Sequence, residues 1–329
     1  MSRSAGPLLA STAAASRPWP NRIPTPMSDT PPRAASPETS SRLPDFLVVG
    51  AMKCGTTSLH YYLSRHPQIG VSTTKELNYF VGDDPPADSD LVTNWWRGEA
   101  WYASRFPGGK PVCGEVSPAY CDGRWRDVAA ERIRRTVPGV RLVLLVREPL
   151  ARLRSHYRMA LGNLEIAPVS FAEFVSKPEY DRYRAHSRYG SQITCLLERF
   201  PREQLLVVES EALAIDREAT LARIFAHLGA DPSFRCLGFR RRLYVGRTRR
   251  LPNAFGRSIL GSRLLRFAWD VLPFSVYEPL RDLILRPFST ATPSFDLPDA
   301  VRRHLQADFR HEIEVARRIS GEPLASLGP

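Results

Sequence analysis

The stretch Asp45-Phe-Leu-Val-Val-Gly-Ala-Met-Lys-Cys-Gly-Thr-Thr-Ser-Leu59 changes character twice. Asp45–Val49 is a short apolar, β-branched run and reads as a buried strand. Gly50–Thr57 carries two glycines and ends in two threonines, and reads as a loop. Ser58–Arg65 places Leu59, Tyr62 and Leu63 at helical spacing. Strand, glycine loop and helix in that order form an anion site. Backbone N–H groups of such a turn converge, and the helix start adds a partial positive charge. Gly50 and Gly55 permit the tight turn, and Thr56, Thr57 and Ser58 add hydroxyl donors. The alternative reading is an ordinary β–α turn.

The loop has the glycine spacing of a nucleoside triphosphate-binding loop, G-x-x-x-x-G-K-[ST], but Thr56 stands where the lysine belongs. Its one lysine, Lys53, lies inside the loop. The apolar run Leu144–Val146 leads into Arg147, not into a metal-holding aspartate. The groups that grip β- and γ-phosphates and Mg²⁺ are missing, so a nucleotide with one 5′-phosphate and another transferable group fits better. The wider pattern repeats the theme. Arg141–Val146 and Gln204–Val208 are further continuous apolar strands. Helical patterns cover Asp127–Val137 (stopped by Pro138-Gly139), Leu150–Leu161, Tyr189–Phe200, Arg217–Leu228 and Leu297–Ile319. Buried strands alternating with helices predict an α/β fold, with a P-loop-like central parallel sheet flanked by helices on both faces.

The chain has 329 residues, 43% hydrophobic and 24% charged, with a formal charge of +12. Residues 1–43 are rich in Pro, Ser, Ala and Arg and read as a disordered tail, with Met27 a candidate alternative start. Residues 44–329 read as a single domain. No run reaches the ~18 apolar residues of a membrane span. Residues 258–286 alternate Leu, Ile, Phe and Trp with Arg and read as a packed helix, a lid or a peripheral membrane contact. Five cysteines without metal spacing point to a reducing, cytoplasmic setting. Only four basic residues are lysines, Lys53, Lys75, Lys110 and Lys177. Lys53 and Lys75 therefore mark places where a compact ammonium is wanted in an otherwise Arg-based chain.

The segment Phe46–Leu59 resembles the 5′-phosphosulfate-binding loop of the sulfotransferases that use PAPS (3′-phosphoadenosine 5′-phosphosulfate). The resemblance is to the heparan-sulfate-sulfotransferase-like and bacterial branch. Three more segments agree in order and spacing: Thr74-Lys-Glu-Leu-Asn-Tyr-Phe80, Gly114-Glu-Val-Ser-Pro-Ala-Tyr120 and Leu144-Leu-Val-Arg-Glu-Pro-Leu-Ala-Arg-Leu-Arg-Ser-His-Tyr157. The resemblance spans about residues 44 to 320. It implies that Lys53 contacts the 5′-phosphate and the bridging oxygen, while Cys54, Gly55, Thr56, Thr57 and Ser58 form the loop that cradles the phosphosulfate. It implies Glu76 as general base, Arg147 and Ser155 on the 3′-phosphate, Tyr189 near the nucleotide and Arg247 in a loop over the adenine. It requires no metal. Val116 stands where heparan-type members commonly carry Lys, which removes a positive charge near the transferred group. No Lys-Thr-His segment offers a histidine base.

Each residue also has a plainer reading. Lys53 and Lys75 are then solvated loop charges, Glu76 pairs with Lys75, and Arg147 pairs with Glu115 or Glu148. His60, His66 and His156 are surface or core residues of helices. The expected acceptor is a small molecule or carbohydrate, bound between the variable segments 81–112 and 162–188. A nucleotide kinase and a polyanion- or nucleic-acid-binding protein are the competing functions. The first lacks Lys at 56. The second rests on the basic run 240–250, which a cofactor loop explains equally well, so no nucleic-acid partner is expected. Oligomeric state is not encoded in any readable pattern.

Overall fold

The computed structural model describes residues 42–82, 92–162, 165–240 and 295–328, with short pieces between 251 and 290. The tail up to residue 41, Arg247 with most of the basic run, and most of 258–286 lie outside the described residues. A five-stranded parallel sheet forms the centre. Its strands are β1 (Phe46–Gly50), β2 (Ile69–Val71), β3 (Val112–Val116), β4 (Arg141–Val146) and β5 (Leu205–Glu209), in spatial order β2-β3-β1-β4-β5. β1 is buried at every position and β4 at all but Arg141. Both faces are therefore covered, as their uninterrupted apolar sequences require.

The helices are α1 (Thr56–Leu63), α2 (Gly98–Ala103), α3 (Arg126–Thr136), α4 (Pro149–Gly162), α5 (Phe171–Ser176), α6 (Asp181–Ala185), α7 (Tyr189–Leu197), α8 (Ser210–Ile215), α9 (Arg217–Leu228) and α10 (Asp299–Ser320). The expected strands and helices all occur, with ends moved by up to three residues. α7 stops at Leu197, short of Phe200, and α1 begins two residues early at Thr56. The Asp216 carboxylate caps α9 by accepting from the Ala219 amide at 3.3 Å, and Gly229 ends the helix in the left-handed region. α10 buries Leu305, Phe309, Ile313 and Ala316 along one stripe and packs on α7. Its Glu312 accepts from the Ser191 amide at 2.8 Å and the Ser191 hydroxyl at 2.7 Å, which fixes the start of α7 and hence Tyr189. A small antiparallel pair, β6 (Leu251–Pro252) with β7 (Ser289–Thr290), lies apart from the main sheet.

The sequence pattern missed β2 and would not by itself make Gly114-Glu115 the middle of a buried strand. Gly114 is there for space. A Cβ at this position would lie 2.2 Å from the Phe46 carbonyl oxygen, so any side chain would push β3 off β1. Glu115 is fully buried, and its satisfaction comes from hydroxyls outside the strand.

Candidate functional site

All five strands run the same way, so the loops that follow β1, β3 and β4 gather at one edge. That edge is where an open parallel sheet presents a ligand crevice. The Ala51 amide donates to the Leu145 carbonyl at 2.7 Å, and the Ser117 amide to the Val48 carbonyl at 3.0 Å. These bonds tie the three strand ends together.

The loop after β1 closes on itself through the Cys54 amide, which donates to the Ala51 carbonyl at 3.2 Å. Gly55 caps α1 with φ 91°, and no side chain caps the helix start. No acidic residue occupies the first turn either. The dipole end of α1 is thus left without a carboxylate of its own, unlike α4. There Glu148 accepts from the Leu150 and Ala151 amides at 2.8 and 2.6 Å. Lys53 sits at φ 69°, a left-handed conformation that costs a non-glycine residue on the order of 1 kcal/mol. Its ammonium reaches the Met159 sulfur of α4 at 3.3 Å. Thr56 is buried, while Thr57 and Ser58 are half-buried on the opening turn.

Arg147 follows β4, half-buried. Its guanidinium donates to the Lys53 carbonyl at 3.4 Å and approaches Glu211 at 3.9 Å. Neither expected ion-pair partner holds it, because Glu148 caps α4 and Glu115 serves buried hydroxyls. Ser155 lies half-buried on the second turn of α4. Cys54 and Tyr189 stand behind the loop rather than in the crevice. Both are fully buried. The Tyr189 hydroxyl donates to the Arg147 carbonyl at 2.8 Å, accepts from the Arg147 amide at 3.3 Å and lies 3.6 Å from the Cys54 sulfur. Burial pushes the Cys54 thiol up to about 11, so it stays protonated and packs as a small apolar group.

Glu76 occupies the turn after β2, exposed, at φ 62°, with its amide donating to the Val116 carbonyl at 3.1 Å. Lys75 forms an ion pair with its carboxylate. Such an exposed pair contributes little to stability, so a ligand can displace it at small cost. Both charges lie within electrostatic reach of His60 of α1. His60 is pushed down to about 4, first by burial and then by the Lys75 ammonium, against the pull of Glu76. Its Nε2 is buried without a hydrogen-bond partner. The sequence reading left His60 as an ordinary helix residue, because nothing in the order of residues reveals that these charges come within reach of it.

Arg152 is a second feature that sequence reading missed. It lies on α4, wholly buried. It donates to the Ser187 hydroxyl at 2.5 Å, the Tyr183 carbonyl and His156 Nδ1 at 3.1 Å. None of these acceptors is a carboxylate. The guanidinium is close enough to act electrostatically on Cys54, Tyr189 and Arg147. Since it donates to Nδ1, His156 carries its proton on Nε2 and is neutral. Burial pushes His156 well below the usual imidazole range, and Arg152 adds to the effect. His186 is also lowered, mainly by burial.

These histidines predict acid sensitivity. They are neutral in the folded chain but would protonate below about 6.5 once unfolded. The folded state therefore binds fewer protons, and its stability is whole above that pH and lost as pH falls toward 4. Glu115, raised by burial, opposes this as one group against several. Urea unfolding at pH 5 should show a stability lower than at pH 7, by on the order of 1 kcal/mol for each fully buried histidine. An unchanged midpoint would mean that His156 and His186 are protonated in the fold.

An aromatic and basic wall flanks the Glu76 turn. The Asn94 amide group donates to the Leu77 carbonyl at 2.7 Å, and the Thr73 amide to the Arg105 carbonyl at 3.0 Å. These bonds set α2 and the residues before it against the turn. Arg97 lies over the rings of Trp96 and Trp101, and Arg105 over Trp101 from 4.5 Å. Trp96 is 70% exposed, with the Arg97 guanidinium over its ring. Among the described residues no His/Cys/Asp/Glu group could hold a metal ion, and no helix is long and apolar enough to cross a membrane.

Comparison with known proteins adds to this geometry. Residues 91–233 match the model of the Sulfotransferase family; the matched segment includes Arg147, Ser155 and Tyr189 and begins after Lys53 and Glu76. The chain is 28% identical over 245 residues to the bifunctional heparan sulfate N-deacetylase/N-sulfotransferase 1 of Caenorhabditis elegans, covering 67% of this chain and 27% of that protein. It is 34% identical over 124 residues to the membrane-associated sulfotransferase kil1 of Dictyostelium discoideum, covering 36% of this chain and 23% of that one. The chain thus spans about a quarter of the length of these curated relatives. A solved sulfotransferase from Alicyclobacillus acidocaldarius shares the fold, with a TM-score of 0.60 at 24% identity over 87% of this chain and 99% of that one.

Proposed function

We propose that this chain, which belongs to the sulfotransferase family, moves a sulfuryl group from PAPS to a hydroxyl or amine of a carbohydrate, glycolipid or natural product. The observation that carries the reading is the loop after β1. It has a helix start without a carboxylate cap, a lysine within the loop and Arg147 bonded to the lysine's carbonyl. One 5′-phosphate fits such a cradle, and a triphosphate with Mg²⁺ does not find its usual lysine there. The carbohydrate class follows from the heparan sulfate relatives, whose names state that acceptor.

Each residue then has a task. The first-turn amides of α1 and the hydroxyls of Thr57 and Ser58 hold the 5′-phosphosulfate, beside Gly55, whose missing side chain keeps the approach open. Lys53 neutralises charge on the bridging oxygen. Arg147 and Ser155 take the 3′-phosphate, the guanidinium offering a planar fork to phosphate oxygens. Glu76 removes the acceptor proton as the acceptor oxygen or nitrogen bonds to sulfur and the bond from sulfur to the 5′-phosphate oxygen breaks. The electron pair leaves on that oxygen, where Lys53 and the loop amides meet it. Sulfuryl transfer thus makes the same demands as other in-line displacements: alignment, and stabilisation of charge on the leaving oxygen.

Calorimetry with PAP, the desulfated product, tests the donor half. Binding should need no metal and exceed that of ATP, and both Lys53→Ala and Arg147→Ala should weaken it by about tenfold, the scale of one charge-assisted contact. A folded wild-type chain that binds ATP better than PAP would overturn the reading in favour of a nucleotide kinase.

A further inference from the structure

The turn that carries Glu76 makes no ladder of its own. Its five successive amides, Glu76 to Phe80, find acceptors elsewhere, and every acceptor belongs to the end of β3 or the turn after it. The Glu76 amide donates to the Val116 carbonyl at 3.1 Å. The Leu77 amide donates to the Glu115 carboxylate. The Asn78 amide reaches the Ser117 hydroxyl at 3.3 Å, and the Tyr79 and Phe80 amides reach the Tyr120 hydroxyl at 3.0 and 3.5 Å. Both of those hydroxyls donate to Glu115 in turn, Ser117 at 2.9 Å and Tyr120 at 2.6 Å. The Tyr102 hydroxyl, from α2, donates to the same carboxylate at 2.7 Å.

Glu115 is therefore the common anchor of four amides, one directly and three through the hydroxyls it orients. It has no charged partner among these contacts. A buried carboxylate is costly unless its lone pairs are filled, and here three hydroxyls and one amide fill them. What it holds is a strained backbone, since Glu76 and Asn78 both lie in the left-handed region at φ 62° and 48°. Such conformations persist only where surrounding contacts over-determine them. Tyr79 stacks on Tyr102 with ring centres 4.2 Å apart, so the network also joins the turn to the aromatic wall.

We propose that Glu115 is a positioning residue that fixes the Glu76 carboxylate for proton removal through the Ser117 and Tyr120 hydroxyls, without touching the donor. The proposal rests on the reading of Glu76 as base. It places the acceptor half of the site under one buried carboxylate, while the donor half hangs on the loop after β1 and on Arg147.

The test uses the full chain with Glu115→Gln, and Tyr120→Phe as the milder variant should the first fail to fold. Hydrogen exchange with PAP bound should accelerate at least tenfold at the amides of Leu77, Tyr79 and Phe80, and stay unchanged at α1 and β4. The PAP dissociation constant should stay within twofold of wild type. Release of PAP from labelled PAPS, with water as acceptor, should slow by tens to about a hundredfold, the scale of a misplaced group. Unaltered exchange at these amides would overturn the anchor. So would exchange raised throughout the sheet, or PAP affinity lost in step with turnover, because either marks a support of the whole fold. Glu76→Gln run alongside separates the two readings. A fully active Glu76→Gln removes the base, whereas a fully active Glu115→Gln beside an inactive Glu76→Gln removes only the positioning role.

Discussion

Glu76→Gln should lower turnover by about 10²–10⁴-fold while leaving PAP affinity within twofold of wild type. The range is that of a positioned general base. Gln keeps the size of the side chain and leaves the amide bond to Val116 intact, so the turn should hold its shape. What disappears is the acceptor for a proton. The ion pair with Lys75 disappears too, but an exposed pair carries at most about 1 kcal/mol, too little to account for the loss. Steady-state rates with labelled PAPS and a panel of amino- and hydroxyl-bearing oligosaccharides would measure the effect, with PAP calorimetry as control. Turnover within fivefold of wild type would assign proton removal elsewhere, and His60 is a further titratable group within electrostatic reach of the turn.

Lys53→Ala is expected to reduce turnover more than it weakens binding. Against a tenfold loss of PAP affinity, the rate at saturating donor should fall by roughly 10²–10³-fold, the cost of removing one preorganised stabiliser of a developing anion. The difference arises because charge on the bridging oxygen grows only as the sulfur–oxygen bond breaks, so the ammonium contributes more in the transition state than in the bound donor. Equal losses in affinity and in rate would reduce Lys53 to a binding residue. Lys53→Arg should not restore the rate. The residue lies in a left-handed turn against Met159, and a planar fork does not replace a compact ammonium there.

The sheet was legible in the sequence where strands are apolar without interruption. Phe46–Gly50, Arg141–Val146 and Leu205–Glu209 are buried on both faces, and their composition says so. β2 was not legible, since three residues carry too little periodicity. β3 came from the resemblance, because a glycine and a glutamate in mid-strand contradict any pattern drawn from hydropathy. The form of the loop after β1 was legible for a similar reason: glycines and small hydroxyl residues mark a strand-to-helix junction. The orientation of side chains was not. The bonds of the Tyr189 hydroxyl to the Arg147 backbone, for example, are invisible in the sequence. Arg152 reads as one more arginine in an arginine-rich chain, yet it is enclosed with no carboxylate against it. Arg247 lies outside the described residues.

The Tyr189 hydroxyl has a consequence for measurement at the molecular scale. It is bonded to both backbone polar groups of Arg147 and touches Cys54 of the loop. The Arg147 backbone and the loop after β1 are thus held in register by a buried hydroxyl, not by flexible surface side chains. On the proposed function, a ligand would be judged by its length between two anchored marks, and a nucleotide that lacks the 3′-phosphate would meet only one mark.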